Sequence, residues 1–150
     1  MRMRRTASLL ATSATFALFA AVGSTGTASA AIYPSAYGCK PGHVCLYYSD
    51  LSSPSFSTEG NWSGRKSSTR IVNNGTQQAG VDHIRFTAEK YSPTTGRVHK
   101  AKGCLHYATP NGSGGQYKVE LKPTNSYGYT VTSLKWGPEC KPGEEALEGA

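Results

Sequence analysis

The sequence predicts a small all-β domain, a sandwich or small barrel, that two disulfides hold together. Short segments of alternating apolar and polar residues recur along the chain, and Gly, Pro, Asn and Ser separate them. No window keeps apolar residues at the three-and-four spacing of an amphipathic helix. Four cysteines follow an N-terminal segment typical of exported proteins. Together these observations favour six or so short strands in one cross-linked domain.

The N-terminal residues have the pattern of an export signal. Arg2, Arg4 and Arg5 precede an apolar run, and Ala28-Ser29-Ala30 offers small residues to signal peptidase. The apolar run is too short for a membrane-spanning helix, so we expect a secreted protein without a membrane anchor. The predicted organisation is a signal peptide over 1–30, a β-domain over 31–140 and a flexible acidic tail over 141–150.

The predicted strands are rich in β-branched and aromatic residues. In chain order they are Val44–Tyr48, Thr69–Asn73, Val81–Thr87, part of Gly96–Tyr107, Gln116–Lys122 and Tyr127–Leu134. Alternation places Ile84 and Phe86 on one strand face and His83, Arg85 and Thr87 on the other. It likewise puts Tyr117, Val119 and Leu121 on one face of a later strand, and Tyr127, Tyr129 and Val131 on one face of the last. Turn residues at Asn73-Asn74-Gly75 and over 111–115 separate strands.

The cysteines predict two disulfides in a chain that is poor in aliphatic residues. Three pairings of Cys39, Cys45, Cys104 and Cys140 are possible, and the short spacing of the first two favours Cys39 with Cys45 and Cys104 with Cys140. The nine tyrosines and two tryptophans are expected to supply core packing where aliphatic side chains are few. A zinc site is the rival interpretation, but the chain lacks a Cys-x2-Cys pair, so we assign no metal and no cofactor.

Charge and histidine placement do not identify an enzyme. The chain has 16 Lys and Arg against 9 Asp and Glu, and four of the acids lie in the last twelve residues. A basic body suits solubility, an anionic cell-wall polymer or an acidic protein, whereas nucleic-acid binding is not expected. The four histidines stand in no known catalytic or metal-binding frame and are interpreted as structural or exposed. We assign no catalytic residue; a nuclease is the enzyme alternative, without an identifiable catalytic set.

The segment from Cys39 to Tyr48 resembles the opening of the peptidase inhibitor family I36, small secreted actinobacterial proteins with the pattern Cys-Pro-x-Gly-x-x-Cys-x-Tyr. Ile71-Val72-Asn73-Asn74-Gly75-Thr76 and Lys135-Trp136-Gly137-Pro138-Glu139-Cys140 are similar to two later motifs of that family. The resemblance implies a crystallin-like Greek-key β-sandwich and inhibition of extracellular peptidases, metalloendopeptidases in particular. The crystallin calcium signature is incomplete, so no calcium is predicted.

Two segments are alternative candidates for the protease contact of a monomeric inhibitor, and the sequence does not choose between them. The first is Lys40 to Val44, with Lys40, His43 and Val44 as contact residues inside the short disulfide loop. The second surrounds Cys104, where Leu105 is expected to enter an apolar pocket and His106 to approach an active-site metal. Each segment also has a purely structural interpretation, as a staple beside ordinary strand residues. The functional alternative is a cationic antimicrobial or cell-wall-binding protein.

Overall fold

The structure, a computed structural model, describes residues 36–110, 115–121 and 129–144. These residues form eight β-strands and no helix, and so contain no helix that could span a membrane. The strands are β1 (His43–Tyr47), β2 (Phe56–Thr58), β3 (Trp62–Ser68), β4 (Arg70–Asn74), β5 (His83–Ser92), β6 (Arg97–Leu105), β7 (Lys118–Glu120) and β8 (Tyr129–Gly137). The predicted all-β class is confirmed.

The strands form two antiparallel sheets of four strands each. The first sheet has the order β2-β1-β4-β7, and the second has the order β3-β8-β5-β6. The longest ladder joins β5 to β6, with Ile84 opposite Leu105 at one end and Ser92 opposite Arg97 at the other. Strand β6 therefore lies at an edge of the second sheet, and a short turn connects it to β5. The Greek-key connectivity implied by the resemblance remains a prediction.

The main core lies between the two sheets, as the alternation along the strands predicts. The first sheet and its flank contribute Val44, Leu46, Ile71, Val119 and Leu121, and the second contributes Ile84, Phe86, Ala88, Ala101, Leu105, Tyr129, Val131 and Leu134. Phe56, Trp62 and Trp136 pack against this core, and the rings of Phe56 and Trp62 are 5.0 Å apart. The prediction that tryptophans supply core packing is confirmed.

A second apolar cluster covers the other face of the first sheet. Cys39, Cys45, Tyr47 and Val72 are fully buried there. Residues Cys45 and Tyr47 alternate along β1 with Val44 and Leu46, so both faces of this strand are covered. The disulfide between Cys39 and Cys45 lies in this cluster and fixes the entry to β1. Cys39, which precedes β1, is thus a buried member of this cluster.

Both predicted disulfides are present, Cys39 with Cys45 and Cys104 with Cys140. The six predicted strands correspond to β1 and β4 to β8, whereas β2 and β3 were not predicted. The predicted signal peptide, most of the predicted hairpin tip over 111–115, and Tyr127 lie outside the described residues.

The start of the predicted acidic tail makes contacts with the domain. The backbone N–H of Cys104 donates to the Glu144 carbonyl at 2.7 Å, and the Arg85 guanidinium donates to the Glu144 carboxylate at 2.8 Å. The backbone N–H of Lys141 and the Arg85 guanidinium lower the pKa of Glu144. Residues 141–144 therefore lie against β5 and β6, and residues 145–150 are outside the described part of the chain.

Candidate functional site

The first predicted contact segment is a turn closed by a disulfide. Lys40 is exposed, and the His43 N–H donates to the Lys40 carbonyl at 3.2 Å, which closes the turn before β1. Gly42 has a φ of 80°, a left-handed conformation that a side chain would strain. His43 Nε2 lies 3.0 Å from Glu59 Oε1, and Val44 is fully buried in the core. The structure therefore presents Lys40 outward, whereas Val44 holds the loop from inside.

The second predicted segment begins where β6 ends. Leu105 is fully buried, so its side chain packs in the core and is not presented at the surface. His106 is partly exposed, and its backbone N–H donates to the Gln116 carbonyl at 2.9 Å. The preceding Cys104 is anchored by its disulfide to Cys140. Of this pair of predicted contact residues, only His106 reaches the surface.

Two adjacent asparagines at the end of β4 tie both segments to the same end of the domain. Asn73 Nδ2 donates to the carbonyls of Leu105, at 3.2 Å, and Asp82, at 3.0 Å. Asn74 Nδ2 donates to the Cys39 carbonyl at 2.8 Å, and the Asn74 carbonyl accepts from Gly42 N–H at 2.8 Å. Both asparagines are buried, so these bonds form away from water. Successive residues of β4 point to opposite faces, and one asparagine therefore serves each segment.

A chain of polar side chains surrounds His83 beside the second segment. His83 is fully buried, and its Nδ1 lies 2.6 Å from Asp82 Oδ1, whose partner oxygen accepts from Gln78 N–H at 2.9 Å. On the other side of the ring, Nε2 lies 2.8 Å from His106 Nδ1 and 3.0 Å from Glu139 Oε2. His83 is thus buried among polar side chains that the sequence did not indicate as its partners.

Gly115 packs closely against the His106 ring. A Cβ added at Gly115 would lie 2.5 Å from His106 Cδ2 and 2.8 Å from Nε2, closer than any side chain could tolerate. The φ of Gly115 is 104°, which also favours glycine. The glycine predicted to form a hairpin tip thus also packs against a histidine ring, and this close approach keeps His106 beside His83.

A tyrosine pair supports the first segment from the opposite side. The Tyr47 hydroxyl donates to the Tyr37 carbonyl at 2.8 Å, and Tyr37, at a φ of 55°, precedes the disulfide loop. Burial raises the pKa of Tyr47 to about 12. The Lys118 ammonium donates to the Tyr37 hydroxyl at 2.8 Å, which lowers the pKa of Tyr37 and raises that of Lys118. The Tyr47 and Lys118 contacts with Tyr37 therefore hold the backbone that precedes Cys39.

The outward face of the second sheet is basic and rich in hydroxyl groups. We call it the basic face, and its cations are Arg65, Arg85, Lys100, Lys102 and Lys135. The register places Thr87 between Lys102 and Ser133, and Glu89 beside Lys100. Glu89 pairs with Arg65, and Glu144 pairs with Arg85. The three lysines are exposed, and a cavity of about 320 Å³ lies on this face between Arg85, Lys102 and the start of the tail.

Several residues of this region were not assigned a role from the sequence. Asn73 and Asn74 appeared only as turn residues and as part of a family motif. No pattern in the sequence indicated a role for Asp82 or Glu139.

Comparison of the chain with known protein families, with curated proteins and with solved structures gives no match.

Proposed function

We propose that this protein is secreted and binds and blocks an extracellular endopeptidase, a metalloendopeptidase in the first instance, without itself acting as an enzyme. The observation that carries the proposal is the anchoring of both predicted contact segments at one end of the domain by Asn73 and Asn74. The resemblance of the Cys39–Tyr48 segment to peptidase inhibitor family I36 supports the same function.

Rigidity is what a blocking loop needs, because binding costs the conformational entropy of every segment that it orders. The turn at Lys40 is closed by the disulfide between Cys39 and Cys45, and Asn74 holds it on both sides. Its contact surface is therefore ordered before a partner arrives. A flexible loop of the same composition would lose much of its binding energy to ordering.

Burial decides which predicted residues meet the peptidase. Lys40 is exposed at the turn and His106 is partly exposed beside Asn73, whereas Val44 and Leu105 support the two segments from the core. Lys40 is thus the principal contact in this proposal, and His106 lies at the margin. The His43 ring stays paired with Glu59 and orients the turn.

The test is a tight-binding titration of the oxidised, exported protein against a thermolysin-type metalloendopeptidase, with subtilisin-like and trypsin-like enzymes in parallel. We expect stoichiometric inhibition of one enzyme that loses only part of its strength at high salt, because screening weakens the Lys40 contact but not the advantage of a loop that is already ordered. Lys40→Ala should weaken inhibition by about tenfold or more, the effect of losing a contact worth about 1.4 kcal/mol.

The matched control is Arg97→Ala, which removes an exposed cation at the opposite end of β6. This variant should inhibit like the wild type. Absence of inhibition of all three enzymes, or equal loss in the Lys40 and Arg97 variants, would contradict the proposal.

The basic face favours a second function, binding of an anionic cell-wall polymer. Lys100, Lys102 and Lys135 lie exposed on one side of a sheet whose hydroxyl groups can also donate to phosphate or carboxylate oxygens. Sedimentation with purified anionic cell wall distinguishes this function, because charge-driven binding should collapse as ionic strength rises. Lys100→Gln with Lys102→Gln should reduce sedimentation, and Lys40→Ala should not.

A further inference from the structure

We propose that His83, His106 and Glu139 form a zinc-binding site next to the Cys104–Cys140 disulfide. This inference goes beyond the proposed function and does not depend on it, because the Lys40 turn, the principal contact there, is built by other residues. His106 is the one residue that the two proposals share. The proposed ligand atoms are His83 Nε2, His106 Nδ1 and Glu139 Oε2. Two imidazoles with one carboxylate are a donor set that Zn²⁺ commonly takes in proteins.

The convergence of donor atoms on His83 Nε2 is the first argument. His106 Nδ1 is 2.8 Å away and Glu139 Oε2 is 3.0 Å away. A proton on Nε2 can point with good geometry at only one of these two atoms. A metal ion between them would engage the lone pairs of all three.

The placement of Asp82 is the second argument. Asp82 Oδ1 lies 2.6 Å from His83 Nδ1 and accepts its proton, so in the neutral ring Nε2 carries a lone pair directed at His106 and Glu139. Histidine ligands of zinc usually donate their other N–H to a carboxylate or a carbonyl, which fixes the tautomer and the ring orientation. Asp82 is itself buried and held by Gln78 N–H, so His83 is already oriented as a ligand.

The two distances to His83 require only a small adjustment, whereas Glu139 has to approach His106. Zinc bonds of about 2.0 to 2.2 Å place tetrahedral ligand atoms roughly 3.3 Å apart, a few tenths of an ångström more than the separations around His83. His106 and Glu139 do not come within 4.8 Å of each other, so the Glu139 carboxylate, which is 73% exposed, must swing toward His106. Exposure of Glu139 also leaves solvent access for water as the fourth ligand.

The nearby cysteine does not take part in the oxidised protein. Cys140 Sγ lies within 4.8 Å of the two imidazole ligand atoms, but it is bonded to Cys104. A disulfide sulfur is not the thiolate that binds zinc. Metal binding must therefore be measured without reductant, since reduction would add a thiolate beside His83.

The test is calorimetric titration of the oxidised, exported protein with ZnCl₂, followed by titration with CoCl₂ to record the visible bands of a tetrahedral site. We expect one Zn²⁺ per chain and a raised thermal midpoint, because the ion binds only the folded arrangement. Glu139→Gln and His106→Gln should each weaken binding by roughly 10- to 100-fold or more, the range seen when a residue that merely orients a ligand is lost.

His99→Gln is the matched control, since His99 is an exposed histidine on β6 away from Asp82. It should bind Zn²⁺ like the wild type. Glu139→Gln changes an exposed side chain, so retained strand content and both disulfides in that variant separate loss of the site from loss of the fold. Wild-type affinity in the Glu139 and His106 variants, loss of binding in the His99 variant, or no binding by the wild type would overturn the proposal.

Discussion

Replacing Asn73 by alanine tests how much its buried side chain stabilises the domain. The Asn73 side chain makes three hydrogen bonds, to the carbonyls of Asp82 and Leu105 and from the Gly75 N–H. The residue is fully buried, so water cannot replace the missing partner. At about 1 kcal/mol for each bond, Asn73→Ala should lower the free energy of unfolding by about 3 kcal/mol. That is a large part of the roughly 5 to 15 kcal/mol of stability typical of a small domain.

Urea unfolding of the oxidised protein measures this loss. With an m-value of about 1 to 3 kcal/mol per molar, a loss of 3 kcal/mol lowers the midpoint by about 1 to 3 M. Asn61→Ala is the control, because exposed Asn61 accepts one hydrogen bond, from Trp136 N–H at 2.7 Å. It should cost about 1 kcal/mol or less. If both variants unfold at the same urea concentration, the hydrogen bonds of Asn73 do not stabilise the domain to this extent.

Three further predictions concern the disulfide, a buried phenol and a glycine. The double variant Cys104→Ala with Cys140→Ala should lose about 3.8 kcal/mol in urea unfolding, more than removal of the shorter disulfide, because it opens a loop with a sequence separation of 36. Tyr47 is protonated more tightly in the folded chain, so its contribution to stability is complete below about pH 10 and falls as the pH rises toward 12. Tyr47→Phe should therefore show a shallower loss of thermal midpoint over that pH range than the wild type; parallel curves would refute this. Gly115→Ala should lower the thermal midpoint and displace the neighbouring imidazole in NMR spectra, and unchanged histidine resonances would show that the close approach is absent.

The sequence predicted the strands that bury a regular alternation of side chains. β5 carries Ile84, Phe86 and Ala88 at every second position and buries all three in the core. Of the predicted face of the later strand, Val119 and Leu121 enter this core, whereas Tyr117 packs against the second cluster. β3 reads Trp-Ser-Gly-Arg-Lys-Ser-Ser, with one apolar residue, and therefore gave no alternation. It forms because β8 supplies its hydrogen-bonding partner, and Trp62 is its apolar contact with the core. Edge strands of this kind depend on a neighbour that is distant in the sequence.

The disulfide pairing followed from spacing, but the surroundings of His83 did not. Alternation puts His83 on the outward face of β5, and the sequence left open whether it is structural or exposed. In the structure, His106 and Glu139 lie over this position from segments 23 and 56 residues later, so the burial is a product of tertiary packing. Leu105 and Val44 were predicted to contact a protease because of their positions in two loop segments. Their burial depends on packing against the core, which position in a loop does not reveal.

The position of β6 at the edge of the second sheet bears on how copies of this protein meet. Within the part of the chain that the structure describes, the nine-residue β6 has a neighbouring strand on one side. An edge strand of this kind offers backbone groups to which another chain can add, and self-association by this route is a hazard of β-proteins. Arg97, Lys100 and Lys102 give this edge a positive charge, and two copies brought together there would repel each other. At its other end, the Glu144 carbonyl already accepts the Cys104 N–H. Lys100 and Lys102 therefore oppose self-association at this edge, and acetylating them should promote aggregation. Added salt should promote it less, because screening weakens the repulsion but leaves the charges in place.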